Sequence, residues 1–268
     1  CSIIAVAVFV AVGIRMITSG DGRTNRYDVE AGNNTYDNAV IENSKISEKN
    51  KIQNNQSMLD DIMNSTQYPK QLKDLALKNE EALEFVFDYP AEHVKENTID
   101  LTEEASMDSV PLFVQWDKRW GYEKYSGNFF AASGCGPTTL SMVVVYLTHN
   151  RDASPIAVAK YSKEAGYSVD GSGSSWTLIS EGCMHYGVKA KAVALDESRM
   201  KAELDEGHPI VVNVGPGDFT DTGHFMVITG YDDEGFSIND PNSIEKSGKR
   251  WLFKNISSQI RAVWSMYV

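Results

Sequence analysis

The chain of 268 residues is poor in cysteine and in positive charge, and it lacks several motifs that would announce a common chemistry. It holds three cysteines, Cys1, Cys135 and Cys183, with no spacing that indicates a structural disulfide. No H-E-x-x-H, C-x-x-C or Cys/His cluster occurs, so neither a metal nor a cofactor is expected. No G-x-x-x-x-G-K-[ST] occurs either, which removes a phosphate-gripping ATPase loop. "GSGSSW" fails the dinucleotide pattern at its last position and follows no clear strand, so it reads as a loop. The net charge of −12 argues against a nucleic-acid partner, because phosphate binding needs a basic face. No internal repeat is evident.

The charge that is present is uneven. Residues 18–108 carry 19 Asp and Glu against 9 Lys and Arg, whereas residues 109–268 carry 18 against 15. The acidity therefore belongs mainly to the N-terminal third and reads as a solvated spacer. Before it, residues 1–17 run apolar from Ile3 to Ile14 and then meet Arg15. This segment is expected to be a truncated transmembrane or signal-anchor helix; a signal-peptide remnant and a lipid-modified Cys1 are the competing readings. A cell-membrane protein with a single N-terminal anchor and an extracytoplasmic domain would follow. Residues 18–67, rich in Asn, Ser and Asp, are expected to form a flexible acidic stalk. Residues 68–108 place Leu72, Leu75, Leu77, Leu83, Phe85 and Val86 at roughly helical spacing, which predicts a helical leader.

Residues 109–268 hold enough apolar sequence for one compact domain. A helix is predicted after Asp152, with Ser154 as N-cap and Pro155 in the first turn. Another is predicted to carry Trp176, Ile179, Cys183 and Tyr186 on one face and to stop at Gly187. The signal then turns strand-like in "HPIVVNVG", "GHFMVITGY", "GFSIND" and "QIRAVWSMYV". Helices first and strands second predict an α+β domain with two segregated halves.

One cysteine stands where chemistry is cheap to build. In "SGCGPTTLSMVVVYL", Leu140, Val143, Val144 and Leu147 recur at i, i+3, i+4 and i+7, with further apolar residues between them, so the helix should be buried on most sides. Cys135 opens that helix, where free N–H groups and the macrodipole stabilise a thiolate. The flanking glycines leave room for another backbone. The same residues also suit a small buried cysteine capping a core helix. A nucleophilic thiol needs a base and a group to orient it. Of the five histidines, His224 stands at the start of a strand in the second half of the domain, while His93, His149, His185 and His208 have surface or packing readings. Sixteen residues on, Asn239 and Asp240 end a strand before Pro241, and a hairpin would return the amide or the carboxylate to the imidazole.

The segments "VPLFVQWDKRWGYEKYSGNFFAASGCGPTTLSMV" and "HPIVVNVGPGDFTDTGHFMVITGYDDEGFSINDPNS" resemble the stand-alone relatives of cysteine peptidase family thirty-nine, the bacteriocin-leader-processing group of the papain clan. The resemblance implies a papain-like cysteine peptidase fold, a helical half carrying the cysteine and an antiparallel β half carrying the histidine and aspartate. It implies Cys135 as nucleophile, His224 as general base, Asp240 as the residue orienting it, and Gln115 as oxyanion ligand. Gln115 precedes Cys135 by twenty residues, whereas the leader-processing enzymes have this glutamine only a few residues ahead. Trp176 is a candidate to line a substrate groove. The expected activity is cleavage of an amide or peptide bond in a peptide-like substrate. An acyltransferase or cell-wall amidase on the same residues, and a binding module without turnover, are the alternatives.

Overall fold

A computed structural model of the chain describes residues 34–268. The expected membrane segment 1–17 and the first part of the expected stalk lie outside the described residues. Among the described residues no helix is long and apolar enough to cross a membrane. Lys49–Val268 form one compact unit, and the packing below is that unit's.

Where a flexible stalk was expected, the chain is helical: α1 spans Asn34–Asn64. That stretch contains neither glycine nor proline, so nothing in it breaks a helix despite its polar composition. Its last turns are held by Ile62, fully buried, with Met58 and Leu59 beside it. The leader follows as α2 (Lys70–Lys78), α3 (Leu83–Phe87) and the single turn α4 (Tyr89–Glu92). Asn79 separates α2 from α3 because its side chain turns back to accept the Glu81 N–H at 3.0 Å. Leu72, Leu75, Leu83, Phe85 and Val86 are buried and Leu77 is exposed. Their cluster includes Phe129 and Ala131 from the following domain, with Trp116 and Tyr122 packed against it. Phe85 stacks on Tyr122 at 4.2 Å, and the Tyr122 hydroxyl donates to the Phe85 carbonyl at 2.7 Å. Leader and domain therefore share a core.

The helical half begins with a hairpin of β1 (Lys124–Tyr125) and β2 (Asn128–Phe129), then the short turn α5 (Phe130–Ser133) and α6 (Cys135–Thr148). Gly136 to Val145 of α6 are all buried, as the near-continuous apolar run predicts. Against α6 packs α7 (Pro155–Glu164), whose N-cap Ser154 accepts the Ala157 N–H at 3.3 Å. A second hairpin, β3 (Ser168–Val169) and β4 (Gly173–Ser174), leads to α8 (Thr177–Ser180). The predicted helical face from Trp176 to Tyr186 is broken into α8 and a 3-10 turn over Gly182–Tyr186. Gly182 sits against the Tyr167 ring there, and the turn ends at Gly187 with φ +77. Ile179 and Cys183 are buried, and Trp176 is half exposed.

The second half is one antiparallel sheet of β5 (Lys189–Ala192), β6 (Ile210–Val214), β7 (His224–Asp232), β8 (Gly235–Asn239), β9 (Arg250–Trp251) and β10 (Ile260–Tyr267), in the order β5-β10-β6-β7-β8-β9. Strand alternation divides its side chains between two cores. Val211, Phe225, Val227, Trp264 and Met266 face α6 and α8. Val212, Met226, Ile228, Phe236 and Ile238 face the other way, with Met200 of α9 (Glu197–Asp205) and Ile256 of α11 (Phe253–Ile256). Between β8 and β9 lies the turn α10 (Ile244–Ser247). The interior strand β6 is buried at every position because it has neighbours on both edges and cores on both faces.

Candidate active site

Cys135 is the first residue of α6, and the helix is docked directly on the strand that begins with His224. Thr139, one turn into α6, donates its hydroxyl to the Phe225 carbonyl at 3.1 Å, and Asn213 Nδ2 donates to the His224 carbonyl at 3.2 Å. Gly136 permits the close seating: a Cβ there would meet Ser174 Oγ of β4 at 2.6 Å. Thr139 in "GPTTLSMV" and Asn213 in "IVVNV" are the trace of this clamp in the sequence, and only the fold shows that they meet one strand.

His224 Nε2 donates to Asp240 Oδ1 at 2.7 Å, with the imidazole almost buried and the carboxylate fully so. Cys135 and His224 line the same cleft. Asp240 Oδ1 also accepts the Asn242 N–H at 2.8 Å, while Oδ2 has no partner among the described residues. Burial pulls the His224 pKa down, but the Asp240 charge and hydrogen bond and the Cys135 sulfur outweigh it and hold the imidazole well above its ordinary value. For Cys135 burial pushes the thiol up, and the His224 hydrogen bond and charge, aided by the Phe225 and Gly136 N–H groups, bring it below the usual thiol range. The two shifts agree, each group's charged form being favoured by the other. Cys183 is the contrast, buried without a base and pushed up to about 11.

A bulge selects Asp240 over Asn239. From the β7–β8 turn the pairing runs Asp232 with Gly235, Tyr231 with Phe236 and Gly230 with Ser237, then slips by one residue so that Ile228 faces Ile238 and Val227 faces Asn239. A regular hairpin would set Asn239 opposite Ile228, on the face His224 shares. With the extra residue at Thr229, Asp240 takes that face instead. The slip also lets Phe236 and Ile238 enter the same core as Met226 and Ile228. Asn239 points away, its Nδ2 donating to the Val110 and Pro111 carbonyls at 3.1 Å each. Of the two candidates at the strand end, the amide is therefore the one that does not meet the imidazole.

Gln115 is buried beside this line. Its N–H donates to the Pro241 carbonyl at 2.7 Å, and Nε2 donates to the Ala131 carbonyl at 2.7 Å, which leaves the second amide proton free. Gln115 Oε1 has no partner among the described residues. Two clefts meet at Cys135. The first, of about 730 Å³, is walled by the β3–β4 hairpin, Trp176 and the end of β6. The second, of about 520 Å³, is lined by Gln115, His224, Asn242 and the leader residues Leu75, Lys78 and Asn79. Trp176, edge-on to Trp264 at 6.0 Å, lies in the first cleft with Cys135 and not in the second with His224 and Gln115.

The leader also holds the loop that follows Asp240, which the sequence reading missed. Glu81 accepts the Ser243 hydroxyl and the N–H groups of Ile244 and Glu245, at 2.8 and 3.0 Å for the two N–H groups. Asn79 Nδ2 donates to the Asn242 carbonyl at 2.9 Å. Nothing in the sequence links positions more than 160 residues apart. Among the described residues no group of three His, Cys, Asp or Glu could hold a metal ion.

The model of the Peptidase_C39 like family matches residues 107–268. Among solved structures, the peptidase domain of Streptococcus ComA, a bi-functional ABC transporter involved in a quorum-sensing pathway, is similar at 20% identity, covering 50% of this chain and 90% of that domain, with a TM-score of 0.40. A putative C39-like peptidase from Bacillus anthracis is similar at 18% identity, covering 59% of this chain and 95% of its own, with a TM-score of 0.37. No curated protein matches the sequence. The α+β domain that joins the Cys135 helix to the antiparallel sheet is a papain-like fold, and the chain belongs to the C39-like peptidase family.

Proposed function

We propose that the protein is a cysteine hydrolase that cleaves an amide or peptide bond of a peptide-like substrate, with Cys135 as nucleophile. The observations that carry this reading are the His224–Asp240 hydrogen bond at 2.7 Å, the place of Cys135 and His224 on one cleft, and the opposed pKa shifts of that pair. In this reading the Cys135 thiolate attacks the carbonyl carbon and the carbonyl electron pair moves onto oxygen. The free amide proton of Gln115 and the Cys135 N–H, unpaired by its place at a helix start, receive the oxyanion. His224 gives its proton to the leaving amine as the C–N bond breaks, leaving a thioester. His224, now neutral, takes a proton from water, whose oxygen displaces the sulfur and releases the acid. Asp240 keeps the imidazole oriented and stabilises its charged form throughout. The apolar run Ile3–Ile14 anchors the chain in a membrane in this reading, with the hydrolase outside.

The test is cleavage of a degenerate peptide mixture followed by mass spectrometry, with the wild-type protein and Cys135→Ala. New peptide termini should form with the first and vanish with the second. Cleavage that survives Cys135→Ala would remove the assignment, and a wild type that neither cleaves nor forms a thioester would favour a binding module. Transfer of the acyl group to an added amine in preference to water would identify an acyltransferase.

A further inference from the structure

The chain carries a net charge of −12, yet in the first cleft the only Lys, Arg, Asp or Glu among the described lining residues is Arg261. Arg119 and Arg250 are tied into ion pairs with Glu104, Asp117 and Asp232, whereas Arg261 makes none with the described residues. The acidic residues nearby serve elsewhere. Asp218 and Asp221 line the second cleft, and Asp218 Oδ2 accepts Gln259 Nε2 at 2.6 Å.

Arg261 is exposed but not loosely placed. Its guanidinium lies close against Gly215: a Cβ there would stand 2.6 Å from Nε and 2.9 Å from one terminal nitrogen. The absence of a side chain at 215 is what lets the cation lie along the cleft wall. Apart from the reacting Cys135, the rest of the lining is small, polar-uncharged or apolar and carries no carboxylate to compete with an incoming anion.

The two clefts can be told apart by the reaction proposed above, on which this inference rests. His224 gives its proton to the leaving amine, and His224 lines the second cleft and not the first. The leaving half of the substrate therefore lies in the second cleft, and the acyl half in the first. We propose that Arg261, seated on Gly215, is a specificity-determining residue that selects substrates with an acidic side chain in their acyl half. A guanidinium presents a planar fork of N–H donors that matches a carboxylate bidentately, which an amide of the same shape does not satisfy.

The experiment compares labelling of Cys135 by short peptidyl chloromethyl ketones, alanine throughout except for Glu or Gln at the second or third residue from the reactive carbon. Labelling needs only the thiolate and acyl-side binding, so it does not depend on turnover. The chloromethyl carbon alkylates the thiolate sulfur as its bond to chloride breaks, the ketone staying intact, and intact mass reads the rate. At one of the two positions the Glu probe should label at least tenfold faster than its Gln twin. Arg261→Ala should erase that ratio, bringing the Glu and Gln probes to one rate. Gly215→Ala keeps the charge but displaces the guanidinium, and should also reduce the ratio. If Cys135 labels readily but Glu and Gln probes react equally at both positions, the subsite is overturned and the hydrolase reading stands. A Glu preference that persists in Arg261→Ala overturns it as well, assigning the preference to another cation. If neither probe labels Cys135 faster than a free thiol, both readings fail together.

Discussion

Phe85→Ala tests whether the leader is an appendage or part of the fold. Phe85 is 3% exposed, stacked at 4.2 Å on Tyr122, with Gly121 pressed against its ring edge so closely that a Cβ there would stand 2.7 Å away. Removing a buried aromatic ring costs about 3–5 kcal/mol, and more when the walls cannot collapse into the space. Here one wall is backbone at Gly121, and the Tyr122 hydroxyl is tied to the Phe85 carbonyl, so the cavity stays open and the upper half of that range applies. For a domain whose whole stability is about 5–15 kcal/mol, that is a large fraction. With a urea dependence of about 3 kcal/mol per molar, the midpoint should fall by more than about 1 M. The assay is equilibrium urea unfolding followed by tryptophan fluorescence and by circular dichroism. The two signals should shift together, since the leader and the domain share one core. An unchanged midpoint, or a leader that melts alone while the tryptophans of the domain hold, would refute the reasoning.

Other outcomes follow from the same geometry. Cys135 should alkylate with iodoacetamide well below the pH of a free thiol, near 8.5, and Cys183 should stay unmodified in the folded protein; equal slow labelling of both, read by peptide mapping, would count against the ion pair. Asp240→Ala should lower turnover by orders of magnitude, whereas Asn239→Ala, which strands two carbonyls far from the thiol, should instead cost about 1–3 kcal/mol of stability. The Asp240 charge raises the His224 pKa, so activity should persist into alkaline pH and fall only as the imidazolium deprotonates; in Asp240→Asn that alkaline limb should move to lower pH, and a stationary limb would deny the coupling. Glu81→Ala, which releases Ser243, Ile244 and Glu245, should cost about 1 kcal/mol in thermal unfolding, the typical loss for a helix cap.

Much of the architecture was legible because short-range physics writes it in the sequence. The apolar run after Cys135 can be satisfied only by a helix buried on most sides, and Gly136 to Val145 are buried. The alternating runs from Ile210 onward can be satisfied only by strands, and they form a sheet with a core on each face. Cys135 drew attention because a helix start is an electrostatic environment readable from neighbours alone. The polar composition of residues 34–64 hid a helix, since Asn and Ser mark loops by average behaviour, while the absence of glycine and proline allowed the helix to run on.

What the tertiary structure decided was which residues meet. Strand parity along "GFSIND" left Asn239 and Asp240 open, because a pleat has period two and one inserted residue exchanges the faces. That residue is Thr229, and the bulge exists because Phe236 and Ile238 must join Met226 and Ile228 in one core. The carboxylate reaches His224 through a packing decision made on the far side of the hairpin. The grip of Glu81 on the loop after Asp240, and of Gly215 on Arg261, are likewise contacts between distant segments. Local sequence determines helices, strands and the chemistry of single positions; the register of a hairpin and the docking of a leader depend on cores that close only when the whole chain has folded.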